Sequence, residues 1–307
     1  MQSVDVGNRN ANIKIEKYIQ TLYPRLSYST LQKAFRRKDI KVNGTRVGRD
    51  YIVLPGDRLE IYIVDDLLSG LDSEDTKKAS FSVAYEDENI LIVNKAQGIP
   101  VHPDKDQTGG TLIDLVRDYL LQKGGGTFNS ANYQPALCHR LDRNTGGLVI
   151  IAKNLSSHDI ILQKLESREI KKYYQCLVKG RMDRQEAILK AYLWKDADKS
   201  RVFISEHRTT GAVEISTGYR MLQYDPSADI SLLEIELITG RTHQIRAHLA
   251  YTGHPVIGDG KYGTNGINRR YGRKQQALWA CRIKFKFSDK NPLDYLNGKE
   301  ITVEPEF

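Results

Sequence analysis

The chain has 307 residues, with 46 Lys and Arg against 38 Asp and Glu and a formal charge of +8; the length predicts two domains, and the charge favours a polyanionic partner. Three cysteines, Cys138, Cys176 and Cys281, lie far apart without a C-x-x-C pair, which argues against a disulfide framework or a zinc cage and fits a reducing cytosol. The N-terminus lacks a leader pattern, and no window approaches the roughly 20 apolar residues of a membrane span, so a soluble, cytoplasmic chain that does not engage a membrane is expected.

In chain order, Ile15, Tyr18, Ile19 and Leu22 fall at helical spacing within residues 12 to 23, after Asn12 as a candidate cap. Ser27 to Thr30 open a second, basic helix through Leu31, Ala34 and Phe35, bearing Lys33, Arg36, Arg37 and Lys38. A short strand then meets the Asn43-Gly44 turn, and Pro55-Gly56-Asp57 introduces a strand from Arg58 to Ile63. Residues 65 to 79 are acidic, bear Ser and Gly and have no period, the composition of a linker. Beyond it, strands are predicted at 81 to 85 and 90 to 95, and a helix from Thr111 to Leu121 that Gly124 to Gly126 terminates. Further strands near 147 to 152, 171 to 178 and 231 to 238 and helices near 155 to 167 and 243 to 252 predict an α+β fold with a mixed sheet and no internal repeat.

The N-terminal order of two helices and a hairpin, with K-x-x-x-x-x-x-I-K-V-N-G from Lys33 followed by P-G-D, resembles the S-four-type RNA-binding module, named after a small-subunit ribosomal protein. The resemblance implies an RNA-binding domain over 12 to 64, a linker over 65 to 79 and a second domain over 80 to 307. It also implies phosphate contacts by Lys33, Arg36, Arg37, Lys38 and Lys41, whose strength falls with salt. The other reading is a small basic domain whose cations only keep a helix soluble.

Two later segments concentrate polar chemistry at strand ends. His139-Arg140-Leu141-Asp142-Arg143-Asn144-Thr145-Gly146-Gly147 runs into the apolar Leu148 to Ile151, and Thr239-Gly240-Arg241-Thr242-His243-Gln244-Ile245-Arg246-Ala247-His248 follows the apolar run at 232 to 238. A carboxylate in a closed pocket needs a nearby cation, and a planar forked donor matches its two oxygens best. A structural salt bridge between two loops is the competing reading of Asp142 and Arg241. The two segments resemble the signatures of the RluA/RluC-type pseudouridine synthases, in which the first loop carries the catalytic aspartate and the second the arginine that holds it. The resemblance spans residues 12 to 287 and implies conversion of uridine to pseudouridine in RNA, with large-subunit ribosomal RNA the expected substrate and transfer RNA the alternative.

By that resemblance Asp142 is catalytic, as nucleophile at the anomeric carbon or as stabiliser while a ribose proton leaves, and Arg241 is its cation. Lys171 to Gly180 resembles the family's K-x-Y-x-x-x-V-x-G strand and places the family tyrosine at Tyr174. Its ring would stack on the extruded uracil and its hydroxyl would accept the ribose proton; a core tyrosine with a wet hydroxyl is the other reading. Tyr173 points to the opposite strand face. Arg140 and Arg143 meet phosphates or are merely solvated, and His243, Gln244 and Arg246 read as loop braces or phosphate contacts. His243 and His248 are five apart without an H-E-x-x-H pattern, so neither metal nor cofactor is expected. Gly263 to Lys274 reads as an adaptable RNA-contacting loop or an ordinary solvated one. Gly146 stands where the family usually has Ser, and Trp279 where it often has His. An RNA-binding protein without catalysis remains an alternative; a glycoside hydrolase would need paired carboxylates, and the loop offers one. A monomer is expected.

Overall fold

A computed structural model describes residues 2–7, 11–23, 26, 28–63, 80–102, 110–123, 134–196, 201–273 and 275–307. It divides into two units, 1–80 with 102–134 and 81–101 with 135–307. The linker expected at 65 to 79 and the glycine run at 124 to 126 lie outside the described residues.

The N-terminal unit contains β1 (Gln2–Asp5), α1 (Ile15–Leu22), α2 (Tyr28–Arg37), β2 (Ile40–Val42), β3 (Thr45–Arg46) and β4 (Arg58–Ile61), with sheet order β1-β4-β2-β3. All three strand pairings are antiparallel. Helical repeats at Ile15, Tyr18, Ile19, Leu31 and Ala34 meet alternate strand positions Ile40, Val42, Leu59 and Ile61 in one core. That arrangement leaves Lys33, Arg36 and Arg37 together on the exposed face of α2. Asn12 is not the cap of α1: the N-cap is Lys14, without a side-chain bond, and Asn12 takes a left-handed φ of 65°. A further helix, α3 (Leu112–Lys123), packs on α2 and belongs to this unit, whereas the sequence placed everything from residue 80 in the second domain. Its start is fixed by the Asp114 carboxylate, which accepts from Thr111 N and Oγ1 at 3.1 and 2.9 Å.

The larger unit holds β5 (Phe81–Glu86), β6 (Ile90–Lys95), β7 (Ala136–Leu137), β8 (Gly146–Ala152), α4 (Leu155–Glu166), β9 (Ile170–Lys179), β10 (Glu186–Asp196), β11 (Arg201–Ser205), β12 (Val213–Asp225), β13 (Ile230–Leu237), α5 (Gln244–Tyr251), α6 (Asn265–Arg270), β14 (Leu278–Phe285) and β15 (Glu300–Thr302). One sheet runs β11-β10-β12-β13-β9-β14-β8-β6-β5, with β15 on β14 and β7 on β8. The β14–β8 pair is parallel and makes the sheet mixed; the other pairings are antiparallel. Because β8 is buried along its whole length, it reads as a continuous apolar run. Ile161 of α4, Ile90, Ile92, Leu148, Ile150 and Phe285 form the core at that end. At the other end Ala247 of α5 packs with Ala191, Leu193, Val202 and Ile215.

The parallel contact depends on two glycines. A Cβ on Gly146 would stand 2.3 to 2.5 Å from three ring carbons of Trp279, and one on Gly147, whose φ is +112°, would stand 2.2 Å from Ala280 O. The two departures from the family pattern are therefore one: the indole occupies the space that a side chain at 146 would need.

Candidate active site

Asp142 sits on the turn between β7 and β8, and the strand behind it holds that turn. Cys138 N donates to Ile150 O at 2.9 Å, and His139 Nε2 accepts from Ile150 N at 3.1 Å. Thr145 N closes the turn onto Asp142 O at 3.0 Å. Beneath it, the fully buried Lys95 Nζ donates to the carbonyls of Ala96, Ile99 and Arg143 at 2.9, 3.0 and 3.1 Å, one for each ammonium hydrogen. Burial pushes Lys95 down to about 7, and the charge of Asp142 opposes that shift. Burial likewise keeps His139 well below the ordinary histidine value, hence neutral.

The facing wall is the turn between β13 and α5. Gln244 fixes it with all four bonds of its amide: Oε1 accepts from Arg241 N (3.1 Å) and Thr239 Oγ1 (2.9 Å), and Nε2 donates to Ser216 O (3.1 Å) and Thr217 Oγ1 (3.0 Å). His243 precedes the helix in a left-handed conformation, φ 55°. Its Nδ1 lies 3.0 Å from Tyr262 Oη and its Nε2 lies 3.9 Å from Asp142, while burial keeps the ring neutral. One turn into α5, Arg246 donates from Nη1 to Asp142 Oδ2 at 2.7 Å, from Nε to Asp259 Oδ2 at 2.7 Å and from Nη2 to Asp259 Oδ1 at 3.0 Å. Burial pushes Asp259 up, but the guanidinium and the backbone N–H groups of Tyr262 and Lys261 outweigh it and hold the carboxyl below its usual range.

Between the walls is a cavity of about 250 Å³ lined by Asp142, Tyr174, Arg246, Lys172 and the apolar Leu141, Leu237, Ile245 and Leu278, among others. The Tyr174 ring is only 4 % exposed, and burial together with the charge of Asp142 pushes its phenol far up. It is therefore a neutral wall beside the carboxylate rather than a ready proton acceptor. Tyr173 faces the other side of the sheet, under Arg282 at 4.1 Å.

The structure thus brings Asp142 and Tyr174 together and corrects the cation. Arg241, expected to hold Asp142, is exposed at the pocket rim and makes no ion pair among the described residues. Arg246, expected as a brace or phosphate contact, is buried with three of its five N–H donors committed to carboxylates, which makes it a brace turned away from the exposed surface. His243 is similarly turned inward. Arg140 and Arg143 are exposed, although Arg143 Nε donates to Gly98 O at 3.0 Å. Lys33, Arg36, Arg37 and Lys38 are exposed in the N-terminal unit, and Lys41 lies 4.9 Å over the Tyr62 ring. The expected loop at 263 to 274 contains α6, capped by Thr264; Asn268 fastens it to Gly258 N and Asp259 O at 2.9 and 3.0 Å, and Tyr271 Oη is committed to Ala228 O at 2.7 Å. Its last residue, Lys274, lies outside the described residues. Asp259 was missed in the sequence; its only signal is an acid between two glycines after the apolar Val256-Ile257. Among the described residues no cluster of His, Cys, Asp or Glu is arranged to hold a metal, and no helix among them is long and apolar enough to cross a membrane.

A carboxylate lining a cavity of a large mixed sheet and held by a buried arginine is an arrangement suited to an enzyme that uses it as nucleophile or base. Residues 89–251 match the family model described as RNA pseudouridylate synthase, and the chain belongs to the RNA pseudouridine synthase family. It is 32 % identical to an RNA pseudouridine synthase of Bacillus subtilis over 85 % of this chain and 81 % of the relative. With ribosomal large subunit pseudouridine synthase D of Xylella fastidiosa it shares 29 % identity over 82 % of this chain and 72 % of that one. The human RNA pseudouridylate synthase domain containing 4 has the same fold, with a TM-score of 0.57 at 20 % identity over 73 % of this chain and 88 % of the other. The chain is accordingly an isomerase that makes pseudouridine in RNA.

Proposed function

We propose that this chain isomerises uridines in large-subunit ribosomal RNA, working as a cytoplasmic monomer without a cofactor. In this reading Asp142 is the catalytic carboxylate, Arg246 its positioning cation and Tyr174 the ring against which the extruded uracil packs. The observation that carries the reading is the 2.7 Å Arg246–Asp142 pair in the lining of a cavity of about 250 Å³. The guanidinium fixes the Asp142 carboxylate by a direct hydrogen bond, and a carboxylate held there serves either attack on the anomeric carbon or removal of the adjacent ribose proton. A cavity of this size cannot admit a paired, stacked uridine, so the target is flipped out or unpaired. The ribosomal substrate is supported by the similarity to the Xylella fastidiosa enzyme named for the large subunit.

The N-terminal unit acts as an S-four-type RNA-binding domain in this reading, with Lys33, Arg36, Arg37, Lys38 and Lys41 meeting phosphates. Its helices α1 and α2, short sheet and exposed basic face on α2 support that role. Arg140, Arg143 and Arg241, exposed on the loops that frame the cavity, supply further phosphate contacts. The test is to incubate the protein and an Asp142→Asn variant with unmodified large-subunit RNA and with a transfer RNA pool, mapping pseudouridine at single-nucleotide resolution. Asp142-dependent sites in the ribosomal RNA are expected; sites confined to transfer RNA would overturn the substrate, and conversion by Asp142→Asn would overturn the role of Asp142.

A further inference from the structure

We propose that Lys172 is a catalytic residue: its ammonium binds a carbonyl oxygen of the target uracil and stabilises the negative charge that the base carries as its bond to ribose breaks. The inference rests on the synthase activity and on the placement of Asp142 at the ribose.

Of the cations recessed around the pocket, Lys172 is the one that has no partner among the described residues. Arg246 is divided between two carboxylates, and Lys95 is wholly committed to three carbonyls beneath the loop. Arg241 is at the exposed rim. Lys172 lies two residues before Tyr174 on β9, on the same face of the strand, and lines the cavity. Its neighbour Lys171, on the other face, pairs with Glu236 at 2.8 Å. Lys172 has no hydrogen bond or ion pair among the described residues, and its Nζ is 3.9 Å from the position of a Cβ on Gly240, under the turn that closes the facing wall. Burial lowers its pKa with no acid opposing the shift. A recessed ammonium without a counter-charge is costly to keep, and a partner supplied by the substrate resolves that cost.

The reaction provides such a partner at the right moment. When the bond between N1 and C1′ breaks, its electron pair leaves with the base, so uracil departs as an anion whose charge spreads from N1 to O2 and O4. This holds whether C1′ is captured by the Asp142 carboxylate or relieved by loss of the C2′ proton to a base. The freed ring then turns and C5 bonds to C1′, either displacing the Asp142 carboxylate or adding as C2′ regains its proton; the C5 proton is lost to solvent and N1 gains one, giving an isomer. Lys172, beside the Tyr174 wall, presents positive charge to the base while Asp142 works at the sugar. A donor aimed at developing negative charge in a water-poor site contributes about 10²–10³-fold to rate.

The alternative use of a recessed lysine is to hold a backbone phosphate, and the two are separable. Lys172→Met and Lys172→Arg are compared with wild type on an RNA that wild type converts, measuring the single-turnover rate and the dependence of RNA affinity on salt, with thermal unfolding as the check on folding. The expected result is a fall of about 10²–10³-fold in rate for Lys172→Met, an unchanged salt slope, a melting temperature no lower than that of wild type and substantial recovery in Lys172→Arg. A Lys172→Met rate within about threefold of wild type, far less than removal of such a donor produces, would overturn the proposal. So would a salt slope reduced by about one, the mark of a phosphate that the lysine had neutralised.

Discussion

Exchanging each arginine of the second motif for lysine separates the cation expected from sequence from the one at the carboxylate. Arg246→Lys retains the charge but replaces three donors directed at two carboxylates with one flexible ammonium. If lysine stays with the wholly buried Asp259, the 2.7 Å bond to Asp142 disappears; if it turns to Asp142, Asp259 keeps only backbone partners. Breaking one buried charged pair of this kind costs about 3–5 kcal/mol, and about 3 kcal/mol expressed at Asp142 is about 10²-fold in rate. Arg241→Lys, at the exposed rim, should change the rate by less than about fivefold, since an exposed charge contributes about 1 kcal/mol or less. Single-turnover pseudouridine formation at saturating protein reads the rate, and urea unfolding reads stability. Wild-type conversion by Arg246→Lys, or a greater fall in Arg241→Lys, would refute the assignment of the positioning cation.

Gly146→Ser alone should destabilise the larger unit by about 1–3 kcal/mol through overpacking against the indole, and Trp279→His should restore part of that stability; additive urea midpoints in the double variant would contradict this coupling. Glu169, held down to about 2 by hydrogen bonds from Lys164, Ser167 and Ser288, has a folded pKa below its unfolded value near 4.5. Its contribution is therefore present above about 4.5 and is lost as pH falls towards 2, so Glu169→Gln should flatten the acid limb of a stability profile measured by chemical denaturation. Neutralising Lys33, Arg36 and Arg37 to Gln should weaken RNA binding and lower the slope of log affinity against log salt by about 0.7–0.9 for each phosphate left unneutralised; an unchanged slope in a filter-binding titration would remove α2 from the RNA interface.

Elements whose polarity follows their burial were legible in the sequence. Ile15, Tyr18 and Ile19 repeat as a helix because one face meets a sheet, and β6 and β8 are apolar because both faces are covered. β10 and β12 escaped because their pattern is partly inverted. Ile188 is 61 % exposed, while Thr217 is wholly buried, where its hydroxyl meets Gln244 and His248. At the candidate site, the placement of Asp142 and Tyr174 in one cavity follows the motif resemblance, and strand alternation turns Tyr173 to the other face. The arginine was not, because two lie within one short cationic run, and which is turned inward depends on where α5 begins. That start is set by the four bonds of the Gln244 amide to β12 and the preceding turn, bonds that spacing alone does not reveal.

The position of β14 has a consequence for when the enzyme becomes competent. Asp142 enters with the β8 side of the sheet, whereas Tyr174, Arg246 and Asp259 come with β9, α5 and the segment after it. β14 is the strand hydrogen-bonded to both sides, pairing with β8 through Trp279 and Ala280 and with β9 along its length. A nascent chain emerging from its ribosome has made both members of the Asp142–Arg246 pair by residue 246 but still lacks the strand that joins the two sides. Bringing the two sides of the cavity together consequently waits for β14, and a product truncated before it would retain the basic surface of α2 without an assembled cavity.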